Sequence, residues 1–360
     1  MRMDRLAEKK NDDARPASAW SKVTMSDVAR EANVSTATVS RFLDGMVPVL
    51  EPTRAKVMEA IKKTGYIRNE AATRLARGTS DTVGLLIRDP NNPYYGILHS
   101  ELQLGAAEHK LHLLTVASPP GFNPMTENFG LRRLLEQRVG GILVATGTIA
   151  PDELSSFVRD VPTVVLGRPE EHPTLNTVSL DEVANAQLIV DAVLARGHQD
   201  IVVTFPETNH SGLLIEHLRG TWLTRHLREA GANVITVDTP SLSSADIEST
   251  HRQVIDLVRD EKVTAALFTS DMKLLGFLKA AQEAGIRVPE DVSATGFDGL
   301  LPGTELLGLA TVRLPVEALA RRGMEIIHEE MVSDARLPVR HESLVGSFLP
   351  GRTLAVRLPQ

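Results

Sequence analysis

Cysteine is missing from all 360 residues, which excludes disulfides, thiolate metal sites and a cysteine nucleophile. No apolar run approaches the roughly 18 residues that a membrane-spanning helix requires. The first twenty residues, MRMDRLAEKKNDDARPASAW, are charged and hold no apolar h-region, so no secretory signal is expected and a cytoplasmic location is. Also absent are the Gly-x-Ser-x-Gly elbow, Gly-x-Gly-x-x-Gly, a phosphate loop and His-Glu-x-x-His. His109 and His112 lie three residues apart but bring no third ligand with them. We therefore expect no catalytic residue, no cofactor and no bound metal.

What is present describes a globular chain. Apolar residues make up 42% and charged residues 24%, and the length suits two or three domains of roughly 150 residues each. The net charge of −7 hides an asymmetry. Residues 1–79 carry 15 Lys and Arg against 10 Asp and Glu, leaving 24 basic and 36 acidic residues for the remainder. A cationic head on an anionic body points to a polyanionic partner for the head alone.

Residues 1–22 show no periodicity and read as a disordered tail. Beyond Val23 the pattern turns helical. Ser26 is a candidate cap for a short helix through Ala32, with Val28, Ala29 and Ala32 on one face. Asn33 suits a left-handed turn, and Ser35 can cap a second helix from Thr36 to Leu43. That helix turns Val39, Phe42 and Leu43 inward and Thr36, Ala37, Ser40 and Arg41 outward. Pro52 opens a third helix with Val57, Ala60 and Ile61 at core spacing, ending at Thr64-Gly65. Residues 69–77 can form a helix of barely two turns, too short to hold alone in water, and Gly78-Thr79-Ser80 reads as a joint.

From Thr82 the rhythm is strand, helix, strand. One series comprises Val83–Ile87, His112–Val116, Gly141–Ala145 and Thr163–Leu166; a second comprises Ile201–Phe205, Val234–Val237, Ala265–Thr269 and Val292–Gly296. Amphipathic stretches separate them. The expected fold class is α/β, with two doubly wound parallel sheets and a ligand between them beyond the carboxyl ends of the strands.

The head has helix-turn-helix spacing. The runs Thr24-Met-Ser-Asp-Val-Ala-Arg, Val34-Ser-Thr-Ala-Thr-Val-Ser-Arg41, Thr53-Arg54 and Gly65-Tyr66 resemble the head of lac-repressor-type regulators of the LacI/GalR family. Asn91-Asn-Pro-Tyr-Tyr95, Ala195-Arg-Gly-His198, Gly296-Phe-Asp298, Asp271 and Thr311-Val-Arg313 extend the resemblance over nearly all of the chain after residue 22. It implies a three-helix DNA-binding domain at 23–68, a hinge helix and linker at 69–80, and a two-lobed periplasmic-binding-protein-like sensor at 81–360. Lobe one would hold about 81–180 and 313–342, and lobe two about 181–310 and 343–360.

The resemblance also implies roles. Thr36, Ala37, Ser40 and Arg41 are base-reading positions, with arginine able to fork onto guanine and alanine able to meet a thymine methyl. Thr24, Ser35, Thr53, Tyr66 and Asn69 hold phosphates. Leu75 is the hinge leucine that wedges into the minor groove. Arg68 stands where proline is usual, and Leu50 replaces a capping serine. Effector positions fall on Arg88, Tyr94, Tyr95, Gly167, Arg168, Ser270 and Asp298. The sugar-clamping arginine falls on His217 if Gly220 is the anchor, or on Arg219 instead. Arg88 and Arg168 together suit an anionic ligand.

The implied function is a sequence-specific transcriptional regulator, a repressor binding a palindromic operator as a homodimer. A small-molecule effector (a sugar, sugar phosphate or related metabolite) would control it, and no membrane is involved. No leucine heptad follows Arg352, which favours a dimer over a tetramer. The alternatives are an α/β enzyme or a solute-binding protein carrying a DNA-binding head.

Overall fold

The computed structural model describes residues 23–44, 49–67, 80–118, 124–147, 149–207, 215–239 and 244–357. The tail at 1–22 and the hinge positions Asn69 and Leu75 lie outside the described residues. The chain forms two units, Met1–Thr79 and Ser80–Gln360.

The first unit contains α1 (Met25–Ala32), α2 (Thr36–Asp44) and α3 (Glu51–Thr64). Thr24, rather than Ser26, caps α1. Its hydroxyl accepts from the Asp27 amide, and the Asp27 carboxylate accepts in return from the Thr24 amide at 2.9 Å. This reciprocal arrangement satisfies two amides at once, which Ser26, already inside the helix, cannot do. Asn33 ends α1 in the left-handed region at φ 53°. Ser35 Oγ then accepts from the Thr38 amide at 3.1 Å and starts α2. Val28, Ala29, Ala32, Val39, Val57 and Ala60 form the buried core, with Phe42, Leu43, Ile61 and Tyr66 packed half-buried around it. Leu50 precedes α3 with no side-chain cap, and Gly65 ends it at φ 67°.

In the second unit, sheet one is built from β1 (Thr82–Ile87), β2 (His112–Ala117), β3 (Gly141–Ala145), β4 (Thr163–Gly167), β5 (Asn176–Leu180) and β11 (His341–Leu344). Their order is β11-β5-β4-β3-β1-β2 and every pairing is parallel. Sheet two orders β7 (Asn233–Asp238), β6 (Asp200–Phe205), β8 (Ala265–Phe268) and β9 (Ser293–Thr295) as β7-β6-β8-β9, again all parallel. Strands β10 (Thr311–Arg313) and β12 (Ser347–Leu349) pair antiparallel where the chain crosses between the sheets. The edge strand β11 runs to Leu344, opposite Leu180, two residues beyond the expected lobe boundary.

The helices cover both faces of each sheet. In chain order they are α4 (Pro93–Glu108), α5 (Pro124–Glu136), α6 (Pro151–Phe157), α7 (Glu182–Leu194), α8 (Ile215–Glu229), α9 (Ser244–Arg259), α10 (Asp271–Glu283), α11 (Thr304–Leu307) and α12 (Val316–Val332). Strand alternation divides the core. Leu85 and Ile87 pack with Leu98 and Leu102 of α4, while Leu86 between them packs with Leu131 and Leu134 of α5. In each sheet the strand order reverses at one place, between β1 and β3 and between β6 and β8. Ligands of doubly wound folds sit beyond the carboxyl ends of strands at such points. The residues that follow are Arg88 after β1, Thr146 after β3, Arg168 after β4, and Ser270 and Asp271 after β8.

Candidate functional site

The first candidate surface is the outward side of α2. Thr36, Ala37 and Arg41 are exposed and Ser40 is half-buried, while Val39 between them is fully buried. The Asn33 turn and the Ser35 cap fix the start of the helix, so these side chains project from a rigid element. Ser35 Oγ also lies 2.9 Å from Thr38 Oγ1. The Arg41 Nε donates to the Ala37 carbonyl at 3.3 Å, so the guanidinium lies back along its own helix. Thr24 is exposed and Thr53 half-buried; Tyr66 is half-buried against the head core.

The second candidate is a cavity of about 50 Å³ beyond the strand ends of both sheets. Of the expected effector positions it brings together Arg88, Tyr94, Tyr95, Gly167, Arg168, Arg219 and Asp298. It also adds Asn92, Thr146 and Glu216, which sequence reading did not single out. Ligand sites of this kind usually measure roughly 300–1,000 Å³, so this cavity is small for its class.

His217 and Ser270 are not part of this lining. The register of α8 explains the first. His217 and Gly220 are three residues apart on one helix face, against the Phe205 ring, and His217 Nδ1 sits 2.7 Å from the Pro206 carbonyl. Glu216 and Arg219 share a different face, the one toward the cavity. Ser270 is buried and caps α10 by accepting from the Lys273 amide.

Arg219 anchors the lobe-two wall. Its Nη1 donates to Asp298 Oδ1 at 2.7 Å and to the Thr269 carbonyl at 3.1 Å, and its Nε donates to Glu182 Oε2 at 3.0 Å. Its guanidinium carbon also lies 4.2 Å from the centre of the Phe297 ring. Burial works against the charge, but Glu182 and Asp298 outweigh it and hold the guanidinium firmly cationic. Beside it, Lys273 Nζ meets Glu216 Oε2 at 2.7 Å, with both side chains largely buried.

The lobe-one wall holds Tyr94, Thr146 and Arg168. The Tyr94 hydroxyl, Thr146 Oγ1 and Arg168 Nε are buried and have no hydrogen-bond partner among the described residues. Three unpartnered polar atoms around one cavity leave hydrogen-bonding capacity that a ligand can use. Burial pushes the Tyr94 phenol well above its usual range, so it stays neutral and able to donate. Gly167, at φ +87°, lets that hydroxyl approach; a Cβ there would collide with it. The rest of Arg168 is spoken for, donating to the Ile149 carbonyl at 2.9 Å and to Glu170 at 3.3 Å. The two arginines expected to serve an anion are therefore not a matched pair of open charges.

Asp271, in lobe two, is 1% exposed. Its Oδ2 accepts from the Gly299 amide at 2.8 Å, and its Oδ1 has no partner among the described residues. Burial, with the Asp298 charge adding to it, pushes the carboxyl up to about 7. The folded state thus binds the proton more tightly than the unfolded chain, whose ordinary value is 3.8. Stability from this group is fully present below about pH 4 and declines as pH rises through about 7. Urea titrations at about pH 5 and pH 8 are expected to show this decline in the parent and a flatter profile in Asp271→Asn.

His109 and His112 do not converge. His109 stacks on His328 with ring centres 4.1 Å apart, and His112 lies beside Asp81 at the start of β2. Among the described residues no group of three His, Cys, Asp or Glu is placed to hold a metal. No described helix is long and apolar enough to cross a membrane.

Glu182, Glu216 and Lys273 escaped sequence reading. Asp271 enters the sequence reading only as a landmark, although its place at the start of the helix after β8 is a usable signal. Glu182 likewise opens the helix after β5. Glu216 and Lys273 carry no such mark, because their roles follow from helix register alone.

Residues 24–69 match the family model described as bacterial regulatory proteins, lacI family. Residues 190–354 match a periplasmic binding protein-like domain. The chain is 30% identical to the HTH-type transcriptional regulator GalS of Salmonella typhimurium over 84% of this chain and 88% of that protein. It is 32% identical to Catabolite control protein A of Priestia megaterium, covering 77% of this chain and 82% of that one. Among solved structures, a lac repressor dimer bound to operator and an anti-inducer superposes with a TM-score of 0.78 at 21% identity, covering 93% of this chain and all of that one. A cellobiose complex of the transcriptional regulator CelR gives 0.63 at 23% identity, covering 92% of this chain and all of that one. With a capped recognition helix ahead of a two-sheet sensor, the chain belongs to the lacI family of bacterial transcriptional regulators.

Proposed function

We propose that the chain is a repressor that binds a palindromic operator as a homodimer and is switched by a small polyhydroxylated effector held between the sensor lobes. The observation that carries this reading is the outward face of α2, where Thr36, Ala37, Ser40 and Arg41 project from a doubly capped turn. Arg41 forks onto guanine and Ala37 meets a thymine methyl, while Thr24, Ser35 and Thr53 hold phosphates. The head spans 23–68 and the sensor begins at 81. It works in the cytoplasm and has no catalytic role.

Effector binding favours one arrangement of the lobes over another, and operator affinity shifts by the difference in effector affinity between them. The orphaned donors of lobe one and the Arg219–Asp298 pair of lobe two support a ligand rich in hydroxyls. Gel shift with a duplex selected from a random pool tests the reading. Retention of a palindrome in preference to its scrambled form, weakening steeply with salt, is expected. Equal retention of both would overturn it.

A further inference from the structure

We propose that Glu216 sets the charge class of the effector, making the cleft accept an uncharged ligand and reject an anionic one. This rests on the cleft being the effector site.

The cleft is rich in cations, yet each faces a carboxylate. Arg219 is held by Glu182 and Asp298, and Arg168 by Glu170. Glu216 holds Lys273 at 2.7 Å within lobe two and shares the cavity with Arg88 of lobe one. Its side chain is 16% exposed. Burial raises its proton affinity, but Lys273, Arg88 and Arg219 outweigh that and keep it ionised. Burial works against the Arg88 charge, but Tyr95, Glu216, Glu127 and Asp89 outweigh it.

A phosphate or carboxylate entering this space meets the Glu216 charge at short range in a poorly screened setting. Arg168, Arg219 and Lys273 are moreover each held in a buried pair, so drawing any of them toward an anion weakens that pair. A hydroxyl meets no such barrier, because it can donate to Glu216 and accept from Arg88. Discrimination arises from a repulsive group built against the wrong ligand. Removing that one charge releases Lys273 and turns the same cavity toward anions.

Calorimetric titration of the full chain with matched pairs, glucose against glucose 6-phosphate and ribose against ribose 5-phosphate, tests this. The parent is expected to bind the neutral member of a pair at least tenfold more tightly. Glu216→Gln is expected to gain at least tenfold for the phosphorylated member, and inorganic phosphate is expected to raise its melting temperature but not the parent's. Lys273→Gln, which keeps the carboxylate, is expected to go on rejecting the phosphates, and it decides the matter should Glu216→Gln not fold. Parent protein that binds a sugar phosphate as tightly as the sugar overturns the inference. So does a folded Glu216→Gln with no gain for any phosphate, or a Lys273→Gln that gains one. Operator binding intact but no sugar or phosphate bound by any variant overturns the effector-site reading, and this inference with it.

Discussion

Arg41→Ala is expected to erase selective operator binding while leaving weak, salt-sensitive binding to any duplex. A bidentate arginine–guanine contact contributes about 1–3 kcal/mol of discrimination, and a dimer makes it twice, so the loss is about 2–6 kcal/mol. Each 1.4 kcal/mol is about a factor of ten in affinity. Fluorescence anisotropy over a salt series separates two roles for this residue. A base reader loses preference for the palindrome while the salt slope barely moves. A phosphate contact lowers binding to all sequences alike and reduces the slope by about two, one for each half-site. The same variant leaves the head folded, because Arg41 is exposed and the core beneath it is built from Val28, Val39 and Val57.

Arg219→Leu has the largest expected effect on the sensor. It leaves Glu182 and Asp298 facing each other in a buried site with their shared counter-charge gone. Breaking a buried pair in this way costs about 3–5 kcal/mol. For a unit of this size the melting transition is then expected to fall by roughly 10 °C. Effector binding, followed by calorimetry, is lost as well, because the guanidinium lines the cavity. Adding Glu182→Gln and Asp298→Asn is expected to recover part of the stability without restoring effector binding. That split distinguishes the electrostatic role of the triad from its part in holding the ligand.

The chain's sequence determines the head almost completely. Its helices are bounded by local chemistry, namely Asn33 in a left-handed turn, Ser35 as a cap and Gly65 as a terminator, and such signals act within a few residues. The one local misreading, Ser26 for Thr24, arose because several hydroxyls compete within one turn and only the reciprocal bond with Asp27 decides between them. Most strands of both sheets are equally legible as short apolar runs, but β5 is not, because Asn176–Leu180 interleaves polar residues although all five are buried. Nor is the edge strand β11, because His341–Leu344 is exposed or half-buried and has no such run.

Tertiary structure alone decided how the cleft is charged. Glu182 and Arg219 are 37 residues apart and Arg219 and Asp298 are 79 apart, so no spacing rule connects them. Whether His217 or Arg219 faces the cavity depends on the rotation of α8 about its axis. Gly220 packed against Phe205 sets that rotation. Local sequence fixes where backbone hydrogen bonds begin and end, but a buried charge is tolerable only beside its partner, and partners are chosen by the fold.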